Sequence, residues 1–231
     1  MQQFCLLFKQ KQEILICGCE MNVNVEIQNL IVDTKLFKNE LVGLIQNHKF
    51  EKSTKNELVI HTFDIVFEHS NAISLLISEG MFATCMSVFR VQFDALVRQL
   101  WFLHAATDLQ IDKLSTPLSK ENFSALNNIV PSTKEMMEDL ERKAPVGLNS
   151  KLKEFKQYST KVLGSYVHTG VHALETKKNG FPVKILLQVL KQSNNLINMA
   201  FLGLAIQEKD EKLIYVAVNM HTKFPECFQV Q

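Results

Sequence analysis

Charged residues interrupt the mainly apolar segment 81–108 at Arg90, Asp94 and Arg98, and the segment ends in Asp108. At 100° per residue, Arg90, Asp94 and Arg98 fall within about 80° of one another on one side of a helix. Buried charges are costly unless they are paired, so we expect these groups to contact one another or a partner. Three interpretations are open: an internal Arg–Asp–Arg clamp, an anion or phosphodiester site built from two guanidinium forks, or a solvated face.

A second candidate pair is Arg98 and His104, which five residues separate. A histidine can act as acid and base on an RNA 2′-hydroxyl while an arginine stabilises the charge on phosphorus. The spacing resembles the Arg-x(4–6)-His signature of the HEPN superfamily, helical-bundle proteins that include metal-independent RNase toxins. Residues six apart on one helix point about 120° away from each other, which argues against the pair. The alternative is a buried His104 beside Trp101.

A third candidate is the segment from Ser165 to His172. His168 and His172 are four residues apart, and on one helix two imidazoles at that spacing can bind a metal, but a third ligand is not evident, although Glu175 lies three residues on. A zinc protease needs Glu after the first His, and Thr169 occupies that position. The alternatives are buried, hydrogen-bonded histidines at a contact between helices, or a catalytic or ligand-contacting role for His168 or Tyr166.

The elements that position these residues are predicted to be helices. The 231 residues include only 8 Gly and 5 Pro, fewer turn formers than a sheet protein of this size needs. We predict an all-α fold, a single bundle of about six to eight helices with a long, central, buried helix near 81–108. Ser132 begins a capping box that starts a helix. The other predicted helices lie at about 23–48, 54–79, 150–175, 182–207 and 211–221.

The same composition limits the protein's surroundings. Lys and Arg number 25 against 24 Asp and Glu, so the chain has no overall field that attracts nucleic acid or a membrane. Five irregularly spaced cysteines indicate a reducing cytoplasm, and no run is apolar enough to span a bilayer. Residues 1–20 differ in pattern from the rest, and we predict an N-terminal extension there, with one helical-bundle domain over 21–231.

Two segments resemble an uncharacterised bacterial all-helical family. Its helix carries Arg-x-x-x-acid-x-x-x-Arg-x-x-Trp, matched here from Arg90 to Trp101, and a later Tyr-Val-His-x-Gly is matched from Tyr166 to Gly170. Asp94 stands where that family more often has Glu. The resemblance implies a helical fold and an association with mobile or defence-related bacterial loci, and brings no established activity.

These observations lead to a committed hypothesis and two alternatives. The first is a HEPN-like, RNA-cleaving toxin or antiviral defence protein, acting as a homodimer without metal or cofactor, with RNA and an antitoxin or defence component as partners. The second is a non-catalytic helical interaction or scaffold protein that forms a homodimer or binds a partner protein. The third is a small-molecule or nucleotide-binding bundle. Under the first hypothesis the catalytic residues are Arg98, His104 and His168, and the substrate-binding residues are Arg90, Asp94 and Tyr166.

Overall fold

The computed structural model describes residues 24–228 of the chain. In that range all regular structure is helical, which confirms the predicted all-α fold. Ten α-helices and a closing 3-10 turn follow one another between residues 24 and 228. Their bounds are α1 Val25–Gln46, α2 Thr54–Ser78, α3 Phe82–His104, α4 Asp108–Leu114, α5 Phe123–Ile129, α6 Thr133–Lys143, α7 Val146–Val167, α8 Val171–Asn179, α9 Val183–Gln207, α10 Glu211–Lys223 and the turn Pro225–Cys227.

Helix α3 is the centre of the bundle, and two of its glutamines join it to both long neighbours. Gln92 Nε2 donates to a carbonyl of α2 and to the carbonyl of Ser193 on α9, at 3.3 Å each. One heptad later, Gln99 Nε2 donates to Val59 O at 3.3 Å and to Ala200 O at 3.1 Å. Because the acceptors move backwards along α2 and forwards along α9, α2 runs antiparallel to α3 and α9 runs parallel to it.

The opposite side of α3 is covered by α7 and α6. The Phe155 ring of α7 stacks on Phe93 with centroids 4.3 Å apart and meets Phe89 edge-on at 5.3 Å. Trp101, which is fully buried, donates its indole N–H to Asp139 of α6. Apolar residues recur around most of α3 because neighbouring helices cover most of it.

Several predicted helix boundaries need correction. The central helix begins at Phe82 because Gly80 adopts a left-handed φ of 69°, and it ends at His104 rather than near 108. The proline-containing section after it folds into three short helices, which raises the number above the predicted six to eight. The capping box at Ser132 is confirmed, with Ser132 Oγ accepting from Glu135 N. The proposed extension, 1–20, lies outside the described residues.

The prediction of one helix over 150–175 is wrong, because this part of the chain forms two helices. Helix α7 ends at Val167 and α8 begins at Val171. Between them Thr169 has a positive φ of 53°, a backbone conformation that no helix continues through. Within the described range, no helix combines the length and the apolar character that crossing a membrane requires.

Candidate functional site

The charged stripe on α3 is present, but only two of its three members are paired. Arg90 Nη1 forms an ion pair with Asp94 Oδ1 one turn later, and both side chains are half-buried. The Arg90 guanidinium also lies 5.9 Å from the centroid of the Phe93 ring. No hydrogen bond or ion pair joins the half-buried Arg98 to another residue of the described part. The predicted three-membered clamp is therefore reduced to Arg90 and Asp94.

Arg98 and His104 do not meet within one chain. Both lie on α3, which is unbroken between them, so their side chains leave the helix in directions about 120° apart. His104 is half-buried at the last turn of α3, near the charge of Lys55 at the start of α2. Burial lowers the pKa of His104, and the nearby Lys55 lowers it further, so the imidazole is held in its neutral form.

His168 lies at the other end of α3 from His104. The ring of Tyr166, the residue before the last of α7, contacts Phe181 with centroids 5.7 Å apart, and Phe181 contacts Phe82 at 5.4 Å. Phe82 is the first residue of α3 and His104 the last, about 33 Å along the helix axis. The three predicted catalytic residues are thus spread along the bundle and do not converge in a single chain.

The Tyr-Val-His-x-Gly segment has a structural role as the joint between α7 and α8. The hydroxyl of Ser165 accepts a hydrogen bond from His172 N at 3.0 Å, and Gly170 N donates to Ser165 O at 2.6 Å. A Cβ on Gly170 would lie 2.6 Å from Ser165 Oγ, so a side chain at this position would force the Ser165 hydroxyl to move. Tyr166 is buried against Phe181, and its position is explained by packing.

The two histidines of this segment are arranged differently from the prediction. Because the chain breaks at Thr169, His168 and His172 do not share a helix face. Both are exposed, which removes the interpretation that they are buried histidines. No group of three or more potential metal-ligating side chains occurs among residues 24–228. His168 has neither a packing role nor a fixed partner there, and its exposure leaves it free to contact a ligand or another chain.

A buried carboxylate at the far end of α9 was not foreseen from the sequence. The Glu208 side chain, 4% exposed, accepts from His48 Nε2 and from Glu51 N, each at 3.0 Å, and from Asn56 Nδ2. Burial by itself raises the pKa of the Glu208 carboxyl, but the hydrogen bonds outweigh burial and leave the pKa below its ordinary value. Glu208 therefore fixes the α1–α2 loop onto the end of α9.

A second unforeseen feature is a buried lysine that forms no ion pair with an acidic residue of the described range. Lys38 of α1 is 5% exposed, and its Nζ donates to Ser74 Oγ at 3.3 Å. Burial lowers the pKa of Lys38 to about 7. Asn194 is buried on α9, where it donates to Thr34 Oγ1 at 2.8 Å and to Cys227 O at 3.1 Å. The burial of Lys38 and Asn194 follows from how the helices pack, because no motif in the sequence marks either residue as buried.

Helix α1 has two apolar faces, and one of them has no covering element among the described residues. Residues at one set of helical positions, among them Ile27, Leu30 and Leu41, are buried in the bundle. On the other side Val25, Val32 and Leu36 are 69%, 59% and 55% exposed.

The surface hollow at the α9–α10 joint and the one beside Asp139 are lined mainly by charged and polar residues, and none of the predicted catalytic residues lies in either.

Comparison with known proteins gives a family and no activity. Residues 63–230 match the model of DUF6988, a family of unknown function. No curated protein and no solved structure matches the chain. The match confirms the resemblance to an uncharacterised all-helical family, and the likeness to the HEPN superfamily stays a hypothesis.

Proposed function

We propose that this chain, which belongs to DUF6988, is a non-catalytic helical interaction protein that acts as a homodimer. The position of the candidate catalytic groups favours this function over RNA cleavage. General acid–base chemistry needs its groups within hydrogen-bond reach of one substrate. Arg98 and His104 point apart on α3, and His168 lies at the opposite end of that helix.

The observation that carries the proposal is the pair of apolar faces on α1. One face of this 22-residue helix is buried in the bundle, and the other exposes three aliphatic side chains, Val25, Val32 and Leu36. Single exposed apolar residues are ordinary on protein surfaces, whereas several aliphatic side chains that share one face of a helix are typical of a surface that binds another helix. A helix face is also self-complementary across a two-fold axis, which suits a homodimer.

Co-expression of two differently tagged copies of the full chain tests this function. If the chain is a homodimer, purification through one tag brings the other copy with it after a high-salt wash, because apolar contacts survive screening. Mixing the two copies only after separate lysis measures how fast subunits exchange. Recovery of the first tagged copy alone, under both protocols, would overturn the proposal.

RNA cleavage is the second candidate, and the state of Arg98 favours it. A half-buried guanidinium that makes no ion pair or hydrogen bond within the described part retains its full capacity to bind a phosphate. A neutral His104 imidazole could accept a proton. The site would have to be completed by a second copy of the chain, whose exposed His168 would approach Arg98 in the dimer.

Incubation of the purified protein with total RNA, without metal and with chelator, separates the two candidates. The matched set is the wild type, Arg98→Ala, His168→Ala and, as a control that removes an exposed charge elsewhere, Lys178→Ala. The interaction function predicts intact RNA and equal growth of cells that express each variant. RNA fragments with the wild type and the control, absent with both site variants, would establish the nuclease and refute a non-catalytic role.

A further inference from the structure

The outer face of α1 has the residue spacing of a two-stranded coiled coil. The residues along the middle of this face are separated alternately by four and three positions in the sequence, which is the spacing of the a and d sites of a heptad repeat. They are Val25, Asn29, Val32, Leu36, Asn39 and Gly43. We infer that this seam pairs with the same seam of a second copy, with the two α1 helices parallel and in register. The inference rests on the proposed homodimer and assigns its interface and orientation.

The seam is open to a second helix. We measure the angle of each side chain around the helix axis from that of Val25. The seam residues lie within about 40° of Val25, and the residues of α1 that are buried in the core lie between about 120° and 220°. The two faces are therefore on opposite sides of the helix, so a partner helix meets the seam without displacing the bundle. Gly43 has no atom within 4 Å of the place where a Cβ would lie, so the far end is open as well.

Asn29 is compatible with the parallel arrangement. It occupies an a site, and in a parallel, in-register pair the two copies of an a residue face each other. Two facing asparagines can hydrogen-bond across the seam, which satisfies amides that would otherwise be buried without a partner. In an antiparallel pair an a residue faces a d residue, and a register that sets Asn29 against Asn39 also pairs two amides, so the charges beside the seam distinguish the two arrangements.

The flanking acidic residues disfavour the antiparallel arrangement. The e sites beside the seam are Glu26, Asp33 and Glu40, all of which are acidic. Antiparallel helices bring e sites opposite e sites, so six carboxylates would line one edge of the interface. Like charges placed opposite each other in this way are repulsive.

A parallel pair instead brings each g site opposite the e site five residues later on the partner helix. This sets Lys35, exposed at a g site, against Glu40 of the second copy, and it does so twice because of the two-fold symmetry. The Gln28 side chain likewise faces Asp33 of the second copy, and its amide can donate a hydrogen bond to that carboxylate. Glu40 Oε1 accepts from Lys223 of its own chain at 2.6 Å, and Oε2 is the oxygen that would accept from Lys35.

Cysteine cross-linking tests the orientation. Asn29→Cys is introduced into a full chain whose Cys5, Cys17 and Cys19 are changed to serine, leaving the two buried thiols, and the protein is oxidised at low concentration. Facing a sites of a parallel pair are close enough for a disulfide, so a covalent dimer is expected. The control is Glu57→Cys on the exposed side of α2, which should remain uncross-linked.

Charge reversal provides a second, independent readout. Lys35→Glu should raise the dimer Kd about tenfold, since two attractive pairs become repulsive. The double variant Lys35→Glu/Glu40→Lys should restore most of the affinity. A dimer that forms but neither cross-links through position 29 nor responds to Lys35→Glu would overturn the parallel seam and leave the proposed homodimer standing. A chain that is monomeric throughout overturns the homodimer itself.

Discussion

Trp101 and Asp139 are joined by a hydrogen bond of 3.0 Å from the indole Nε1 to the carboxylate Oδ2, which links the central helix α3 to α6. The tryptophan is fully buried, and this bond lowers the pKa of Asp139 below its ordinary value. The position of the tryptophan in the Arg-x-x-x-acid-x-x-x-Arg-x-x-Trp pattern is therefore explained by helix packing.

Trp101→Phe should destabilise the fold by about 2–4 kcal/mol. The substitution leaves a cavity in the core and removes the only hydrogen bond of a buried indole. Denaturant unfolding followed by far-ultraviolet circular dichroism measures the change. Asp139→Asn retains an acceptor oxygen and should cost about 1 kcal/mol or less. Equal losses from the two variants would contradict the packing role assigned to the indole.

Glu208→Gln should destabilise the protein near neutral pH by about 1–3 kcal/mol, because a buried carboxylate with three donors is replaced by an amide. The folded-state pKa of Glu208 is depressed, so its stabilisation is present above the unfolded pKa and disappears as pH falls through the folded value. The difference in unfolding free energy between wild type and variant should therefore shrink from pH 7 towards pH 3. A difference that stays constant over this range would show that the charge of the Glu208 carboxylate does not contribute to the stability of the fold.

Lys38→Met should stabilise the protein at pH 7 and below. In the wild type the folded pKa of about 7 lies below the ordinary 10.5, so the unfolded chain binds the extra proton between these values and stability rises with pH across that window. The variant removes the penalty, which is on the order of several kcal/mol because one pKa unit is worth about 1.4 kcal/mol. Lys178→Met, at an exposed lysine of α8 outside the seam, is the control. Parallel stability curves for wild type and Lys38→Met between pH 7 and pH 10 would refute this account.

Gly170→Ala should weaken the α7–α8 joint by about 1–3 kcal/mol, since the new methyl group would overlap the Ser165 hydroxyl. Ser165→Ala loses the bond to His172 N and should be destabilising by itself. In the double variant the overlap with the hydroxyl no longer exists, so the combined loss should be smaller than the two single losses together. Strict additivity in thermal unfolding would rule out the overlap as the cause.

The sequence was sufficient for the fold class and for the local signals that need no partner. The capping box at Ser132 and the one-turn pairing of Arg90 with Asp94 both follow from helical spacing, and both are present. The break at Thr169 was missed because a threonine in a left-handed conformation has no sequence signature comparable to that of glycine. The contacts of Gln92 and Gln99 depend on which helices are neighbours, and periodicity does not contain that information.

The candidate site was harder to predict than the fold. Arg90, Arg98 and His104 lie on the predicted central helix, whereas His168 lies in the joint between α7 and α8, and convergence of these groups depends on the relative direction of the helices. Because α7 runs antiparallel to α3, His168 lies near Phe82 and far from His104. The second apolar face of α1 was equally hidden, since Val32 and Leu36 look like core residues until the bundle covers the other face.

Light scattering of the purified full chain over a range of concentrations tests the homodimer most directly. The wild type and Tyr215→Glu, an exposed apolar residue of α10 outside the seam, should reach twice the 26.4 kDa of one chain. Leu36→Glu places a charge in the seam and should remain at 26.4 kDa. A wild-type chain that stays at the mass of one copy at every concentration would contradict the account.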